Sequence, residues 1–282
     1  MLYLGTEISI SSLVTEPANS IIHQSYNSKE GEEPLNGDGF GLAWYALDMP
    51  DEPALFKAVT PAWNNMNLLS LARVTKSSCI LAHVRAATPG LPVIQLNCHP
   101  FTRGPLSFMH NGKVGGFATI RRRILERLSD SAFNAIEGST DSEYVFALFI
   151  DHYSASDSAL LPHEALARAM NATIKEVDSI VAEAGVTDPS YMNLAVTDGV
   201  SAVVSRYVSG GPKKANTLYV HTGSSFTCTD GHYRMAEPEK GTNAVVVASE
   251  PLGTNSEWTD VPENSIVVID SRLVVEMRPL CR

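Results

Sequence analysis

The order in which apolar patterns change along the chain limits its fold more than any single motif. Short apolar or alternating runs come first, at Leu2–Ser12, Phe40–Leu47, Ala54–Val59, Cys79–Arg85 and Leu106–His110. Three segments of helical spacing follow, Gly115–Leu128, Asp141–Tyr153 and Pro162–Ala184. The last carries Leu166, Met170, Ile174, Val177, Ile180 and Val181 largely three and four apart, which lines one face of a helix. Strand-like runs then return at Tyr191–Thr197, Ser201–Tyr207, Thr217–His221, Asn243–Ala248 and Ser265–Asp270 with Val274–Val275. Strands in blocks, rather than strand and helix in turn, argue against repeated βαβ units and predict a layered α+β architecture. Asp198-Gly199 predicts a hairpin turn, and Asp48–Pro53 a turn between Phe40–Leu47 and Ala54–Val59. Helices are also expected over Val14–Gln24, capped by Ser12, and over Asn64–Lys76. No linker or internal repeat divides the chain, so residues 1–282 read as a single domain.

Composition removes several classes of function. The chain has 282 residues, 44% of them hydrophobic and 18% charged, enough to bury a sizeable core. Its net charge is −10, and the densest basic cluster, Arg121-Arg122-Arg123, falls within an expected helix as a solvated face, so no nucleic-acid partner is expected. Four cysteines without a CxxC pair suggest neither a zinc site nor a disulfide scaffold. There is no signal-peptide pattern, and no apolar run approaches the roughly 20 residues that span a bilayer. A cytoplasmic protein without membrane contact is the expectation.

Three short constellations carry possible chemistry. Arg85 ends an apolar run, a rigid place from which to aim a guanidinium fork at a carboxylate; a surface ion pair is the alternative. In His110-Asn111-Gly112 a side-chain amide and an unobstructed backbone N–H stand side by side and can both donate to one oxyanion; Asn-Gly is equally a tight-turn dipeptide. Gly138–Glu143 precedes a helix, so Thr140 and Glu143 read as a capping box, or Asp141 as the partner of an ammonium group. Asn36–Gly41 lacks the Lys-Ser/Thr of a phosphate loop and reads as tight packing near a site. His83, His99 and His110 fit no helical ligand spacing, so no metal is expected.

Taken in order, His83-Val84-Arg85, His110-Asn111-Gly112 and Thr140-Asp141-Ser142-Glu143 resemble the class II glutamine amidotransferase domain, an N-terminal-nucleophile hydrolase. The segments Ile21–Ser25, Leu35–Trp44, Thr60–Asn64, Asn97–Phe101 and Ala248–Leu252 look like its stand-alone branch, which includes the fungal glutathione-degradation subunit and the ergothioneine-pathway γ-glutamyl amidohydrolase. The resemblance spans essentially the whole chain. It implies a four-layer αββα sandwich of two antiparallel sheets, and hydrolysis of a γ-glutamyl amide through a cysteine thioester without a cofactor. It further implies that Arg85 binds the substrate α-carboxylate and Asp141 its α-ammonium, with Thr88 and His110 in the same substrate site. Asn111 and Gly112 would form the oxyanion hole. The substrate is a small γ-glutamyl compound, and a separate partner subunit is possible.

The family opens Met-Cys-Arg, and that cysteine is its nucleophile. Here Tyr3-Leu4-Gly5 matches the family, while Cys-Arg stands at the other end as Cys281-Arg282. Three readings stay open. Cys-Arg precedes Met1 in the natural protein; the chain is an inactive γ-glutamyl-binding or scaffold subunit; or Cys281 returns to the site in space. Cys79 and Cys98 read as core thiols.

Overall fold

The structure is a computed structural model and describes every residue except 31–33, 88–89, 211–213, 237–242, 254–256 and 281–282. Cys281 and Thr88 therefore lie outside the described residues. The strands are β1 (Leu2–Ser9), β2 (Phe40–Ala46), β3 (Met49–Ala58), β4 (Lys76–Val84), β5 (Phe101–Arg103), β6 (Leu106–Lys113), β7 (Tyr191–Thr197), β8 (Ala202–Arg206), β9 (Tyr219–Gly223), β10 (Ser225–Thr229), β11 (His232–Ala236), β12 (Ala244–Ala248), β13 (Thr259–Asp260), β14 (Ser265–Ile269) and β15 (Val275–Pro279). The helices are α1 (Ser11–Val14), α2 (Ile21–Tyr26), α3 (Met66–Val74), α4 (Phe117–Leu125), α5 (Asp130–Phe133), α6 (Asp141–Ser154) and α7 (Pro162–Glu183).

Two antiparallel sheets form, in the orders β13-β9-β12-β1-β4-β2-β3 and β15-β14-β8-β7-β6-β5. Strand alternation divides the core into three layers. Leu2, Leu4, Leu81, Val245 and Val247 of the first sheet pack against Met109, Ala195, Val204 and Val267 of the second. The intervening residues Tyr3, Ile80, Ala82 and Val246 face outward onto Leu13, Ile21 and Leu68 of α1, α2 and α3. On the far side, Phe108, Leu194, Val196 and Val203 meet Phe146 and Phe149 of α6 and Leu166, Met170 and Val177 of α7. The result is the four-layer αββα sandwich. Full burial of each Leu or Val contributes roughly 1.5–3 kcal/mol, so the middle layer holds the sheets together.

The α7 periodicity holds: Leu166, Met170, Ile174, Val177, Ile180 and Val181 are all buried. The hairpin at Asp198-Gly199 joins β7 to β8, with Thr197 opposite Ala202. Three local expectations are corrected. The Val14–Gln24 helix divides into α1 and α2, and the cap belongs to Ser20, whose hydroxyl accepts from His23 N. Asp48–Pro53 is not the turn, because Ala46 pairs with Met49 and Pro50 and Pro53 lie within β3. They are tolerated there because β3 is an edge strand with one side unpaired. β5 and the β10–β11 hairpin add strands that the patterning did not reveal. Among the described residues, no helix is long and apolar enough to cross a membrane.

Candidate active site

β1 lies in the middle of its sheet and runs antiparallel to both neighbours, so its first residues sit beside the C-terminal ends of β4 and β12. A cavity of about 440 Å³ opens there, walled also by β6 and β7 of the second sheet. Met1, His83, Asn111, Gly112, Asn193 and Glu250 are among its lining residues. The Met1 α-amine donates to Ala82 O at 2.8 Å, and Ala82 N donates back to Met1 O at 2.9 Å. Burial lowers this amine from its ordinary value to about 5, so at neutral pH it is uncharged and can accept a proton.

Asn111 and Gly112 lie in paired strand, opposite Asn193 and Met192. The tight-turn alternative is thereby excluded. Gly112 has φ +150°, and a Cβ there would stand 2.0 Å from Tyr191 O, so only glycine lets β6 approach β7 this closely. His110 points to the other face. Its Nε2 lies 2.9 Å from Tyr191 O and its Nδ1 3.0 Å from Ser142 Oγ. A carbonyl only accepts, so Nε2 donates to Tyr191 O. His110 thus braces β6 against α6 from behind the cavity wall.

Arg85 follows β4 directly, and backbone hydrogen bonds of 2.9 Å to Gly39 and Asp38 fix it. Its side chain is only 4% exposed, and Nη1 is buried with no hydrogen-bond partner among the described residues. The surface ion-pair reading is overturned. Asp141 opens α6, buried, with Oδ2 accepting from Val114 N at 2.8 Å and Oδ1 from Ser142 N at 2.9 Å. Neither residue is on the cavity wall itself: Arg85 precedes wall residue Ala86, and Asp141 holds Val114, which follows wall residue Lys113. Thr140 caps α6 by accepting from Glu143 N at 3.3 Å. The capping box does not close, because the Glu143 carboxylate instead accepts from Glu137 N and Gly138 N at 2.8 and 2.7 Å.

A histidine cluster lies near Arg85. The His83 and His99 rings are 4.2 Å apart. Burial lowers His83 to about 3 and His99 well below the ordinary histidine value, with neighbouring positive groups acting in the same direction. Both are neutral at neutral pH, and His83 Nδ1 and both His99 nitrogens lack partners among the described residues. Asn97 ties this segment to the Asp141 loop, accepting from Ser139 N at 2.9 Å and donating to Ser139 Oγ at 3.2 Å. The glycine-rich stretch serves packing as expected: a Cβ on Gly41 would meet His99 O at 2.1 Å. Burial raises Cys79 to about 12 and also raises Cys98, so both are protonated core thiols.

Two contributions to the site went unread in the sequence. The buried Glu250 carboxylate accepts from Lys29 N at 3.1 Å and Glu30 N at 3.2 Å and also from the Ser28 hydroxyl, which ties residues 28–30 to the cavity wall. Asn193 reaches the cavity because β7 pairs with β6. Asn193 carries no local motif, and Glu250 lies in the branch-like segment Ala248–Leu252, which by itself signals no site role.

A central strand whose first residue opens into a cavity between two antiparallel sheets, opposite an Asn-Gly pair, is the arrangement of an N-terminal-nucleophile hydrolase. Residues 11–279 match the class-II glutamine amidotransferases, and the chain belongs to that family. It is 43% identical over 286 residues to the probable glutamine amidotransferase DUG3 of Saccharomyces cerevisiae, covering 95% of this chain and 80% of that protein. It is 27% identical to the gamma-glutamyl-hercynylcysteine sulfoxide hydrolase of Mycobacterium tuberculosis, over 96% of this chain and 91% of that protein. Among solved structures, a glutamine aminotransferase class-II domain protein from Silicibacter pomeroyi superposes with a TM-score of 0.65 at 27% identity, covering 100% of this chain and 98% of that one. The glutamine phosphoribosylpyrophosphate amidotransferase of B. subtilis shares the fold, with a TM-score of 0.60 at 14% identity over 99% of this chain and 48% of that one.

Proposed function

We propose that residues 1–282 act as one unit that hydrolyses a γ-glutamyl amide. The observation that carries this is the buried Arg85 guanidinium, whose Nη1 has no partner among the described residues. An isolated buried charge is costly, and a substrate α-carboxylate would satisfy it. Asp141 takes the α-ammonium; its two backbone donors leave lone pairs on both oxygens. A head group held this way directs its γ-carbonyl toward the start of β1. A cysteine thiolate there attacks the carbonyl, and an uncharged α-amine takes the thiol proton. Asn111 and Gly112 donate to the oxyanion, each worth roughly 3 kcal/mol. Collapse expels the amine, and water releases glutamate from the thioester. The leaving group is a γ-glutamyl conjugate's amine, or ammonia passed to a separate partner subunit. The unpaired thiols Cys79, Cys98 and Cys228 suit a reducing compartment such as the cytoplasm.

A second reading, a γ-glutamyl-binding subunit without chemistry, is favoured by the absence of any thiol from the cavity wall among the described residues. Mass spectrometry of the mature protein with a glutamine-derived affinity label separates the two. Label on an N-terminal cysteine supports the hydrolase; an unlabelled protein that still binds glutamate supports the binder. Asp141→Ala should abolish both turnover and binding, and activity retained in that variant refutes the head-group assignment.

A further inference from the structure

Asn193 is buried at 5% exposure, lines the cavity, and has one half of its amide fully used. Its Nδ2 donates to Asn216 O at 3.3 Å and to Thr217 O at 3.0 Å. Two carbonyl partners fix the orientation of the amide, since Oδ1 could not bond to either. Oδ1 is therefore held as an acceptor, and it is buried without a partner among the described residues. A group that satisfies it must donate N–H or O–H. Asn193 also stands directly opposite Asn111 in the β6–β7 register. Side chains paired in this way share one face of the sheet, with Cβ atoms about 4.5–5.5 Å apart. Hence the Asn111 side chain, whose amide can donate, and a fixed acceptor, Asn193 Oδ1, stand side by side on one wall. An amide bond presents the complementary pair, a carbonyl oxygen to accept and an N–H to donate.

We propose that Asn193 positions the leaving nitrogen of the scissile amide by accepting its N–H, so that the site selects amides over esters of the same acyl group. The inference rests on the γ-glutamyl reading above and extends it to the other side of the scissile bond. The nitrogen keeps this hydrogen bond as it takes a proton and departs as the amine, while Asn111 holds the oxyanion. An ester presents no donor there and leaves Oδ1 unsatisfied.

The test compares kcat/KM for L-glutamine γ-methylamide and L-glutamate γ-methyl ester in the wild type and in Asn193→Ala. The expected result is a rise of roughly tenfold or more in the ester-to-amide ratio of the variant, from a selective loss on the amide. An equal loss on both substrates marks a purely structural residue and overturns the proposal, as does an unchanged ratio. If Asn193→Ala does not fold, Asn193→Ser is read in the same way; its hydroxyl is too short to reproduce both contacts. If the wild type turns over neither compound, titration calorimetry makes the same comparison. Tighter amide binding that the variant loses upholds the inference, and equal binding overturns it. A protein that binds neither compound refutes the γ-glutamyl reading itself, and this inference with it.

Discussion

Arg85→Met should separate binding from stability. The guanidinium is buried, and its Nη1 has no partner among the described residues, so the free fold keeps a charge that none of its described groups neutralises. Methionine fills much of the same stem volume without charge. In the free protein the substitution should leave the melting temperature unchanged or raise it, since buried unpaired charge opposes folding. With substrate the sign reverses. Removing one member of a buried, hydrogen-bonded charge pair costs about 3–5 kcal/mol. At roughly 1.4 kcal/mol per decade, this lowers kcat/KM for a γ-glutamyl amide by two to nearly four orders of magnitude. Arg85→Lys keeps the charge but not the planar fork, so it should recover only part of the loss. The control substrate is 4-aminobutanamide, which has the ammonium and the amide but no α-carboxylate. Wild type and Arg85→Met should treat it alike. A variant within threefold of wild type on the γ-glutamyl substrate would refute the reasoning. So would an equal loss on the carboxylate-free compound, or a large fall in melting temperature.

Other outcomes follow from the same site. Gly112→Ala places a methyl 2.0 Å from Tyr191 O; thermal melts should show clear destabilisation, and kcat/KM should fall at least a hundredfold as Asn111 shifts. Because burial holds His83 near 3, below its unfolded value of about 6.5, the unfolded chain binds the extra proton first. Stability is then complete above about pH 6.5 and falls as the pH drops toward 3, by up to about 1.4 kcal/mol per pH unit for each such histidine. Urea midpoints at pH 7, 6 and 5 measure this, and His83→Asn should flatten the trend.

Much of the layer order was legible because it rests on periodicity. The repeat of α7 and the short apolar run of β4 each specify burial locally, and Thr140 signals its helix start within one turn. What stayed hidden depends on partners far away in sequence. The His83–His99 contact joins the end of β4 to a loop after it, and no spacing announces it. Asn193 resembles any strand residue until register sets it opposite Asn111, across the whole helical block. Glu143 met the capping-box pattern, yet its carboxylate was claimed by the Glu137 and Gly138 amides, a tertiary choice that the pattern does not encode. The prolines of Asp48–Pro53 suggested a turn because edge-strand status is a property of the finished sheet.

The central position of β1 also sets a timetable for assembly. Leu2 faces Leu81 on one side and Val247 on the other. During synthesis the first neighbour arrives early, but the second emerges only when nearly the whole chain has been made, roughly tens of seconds later at ordinary ribosome speeds. For that interval the earliest strand keeps one flank of amides and carbonyls open to whatever it meets. Nascent chains should therefore be vulnerable to mispairing until the last quarter of the polypeptide is released, and chaperone demand should track that moment.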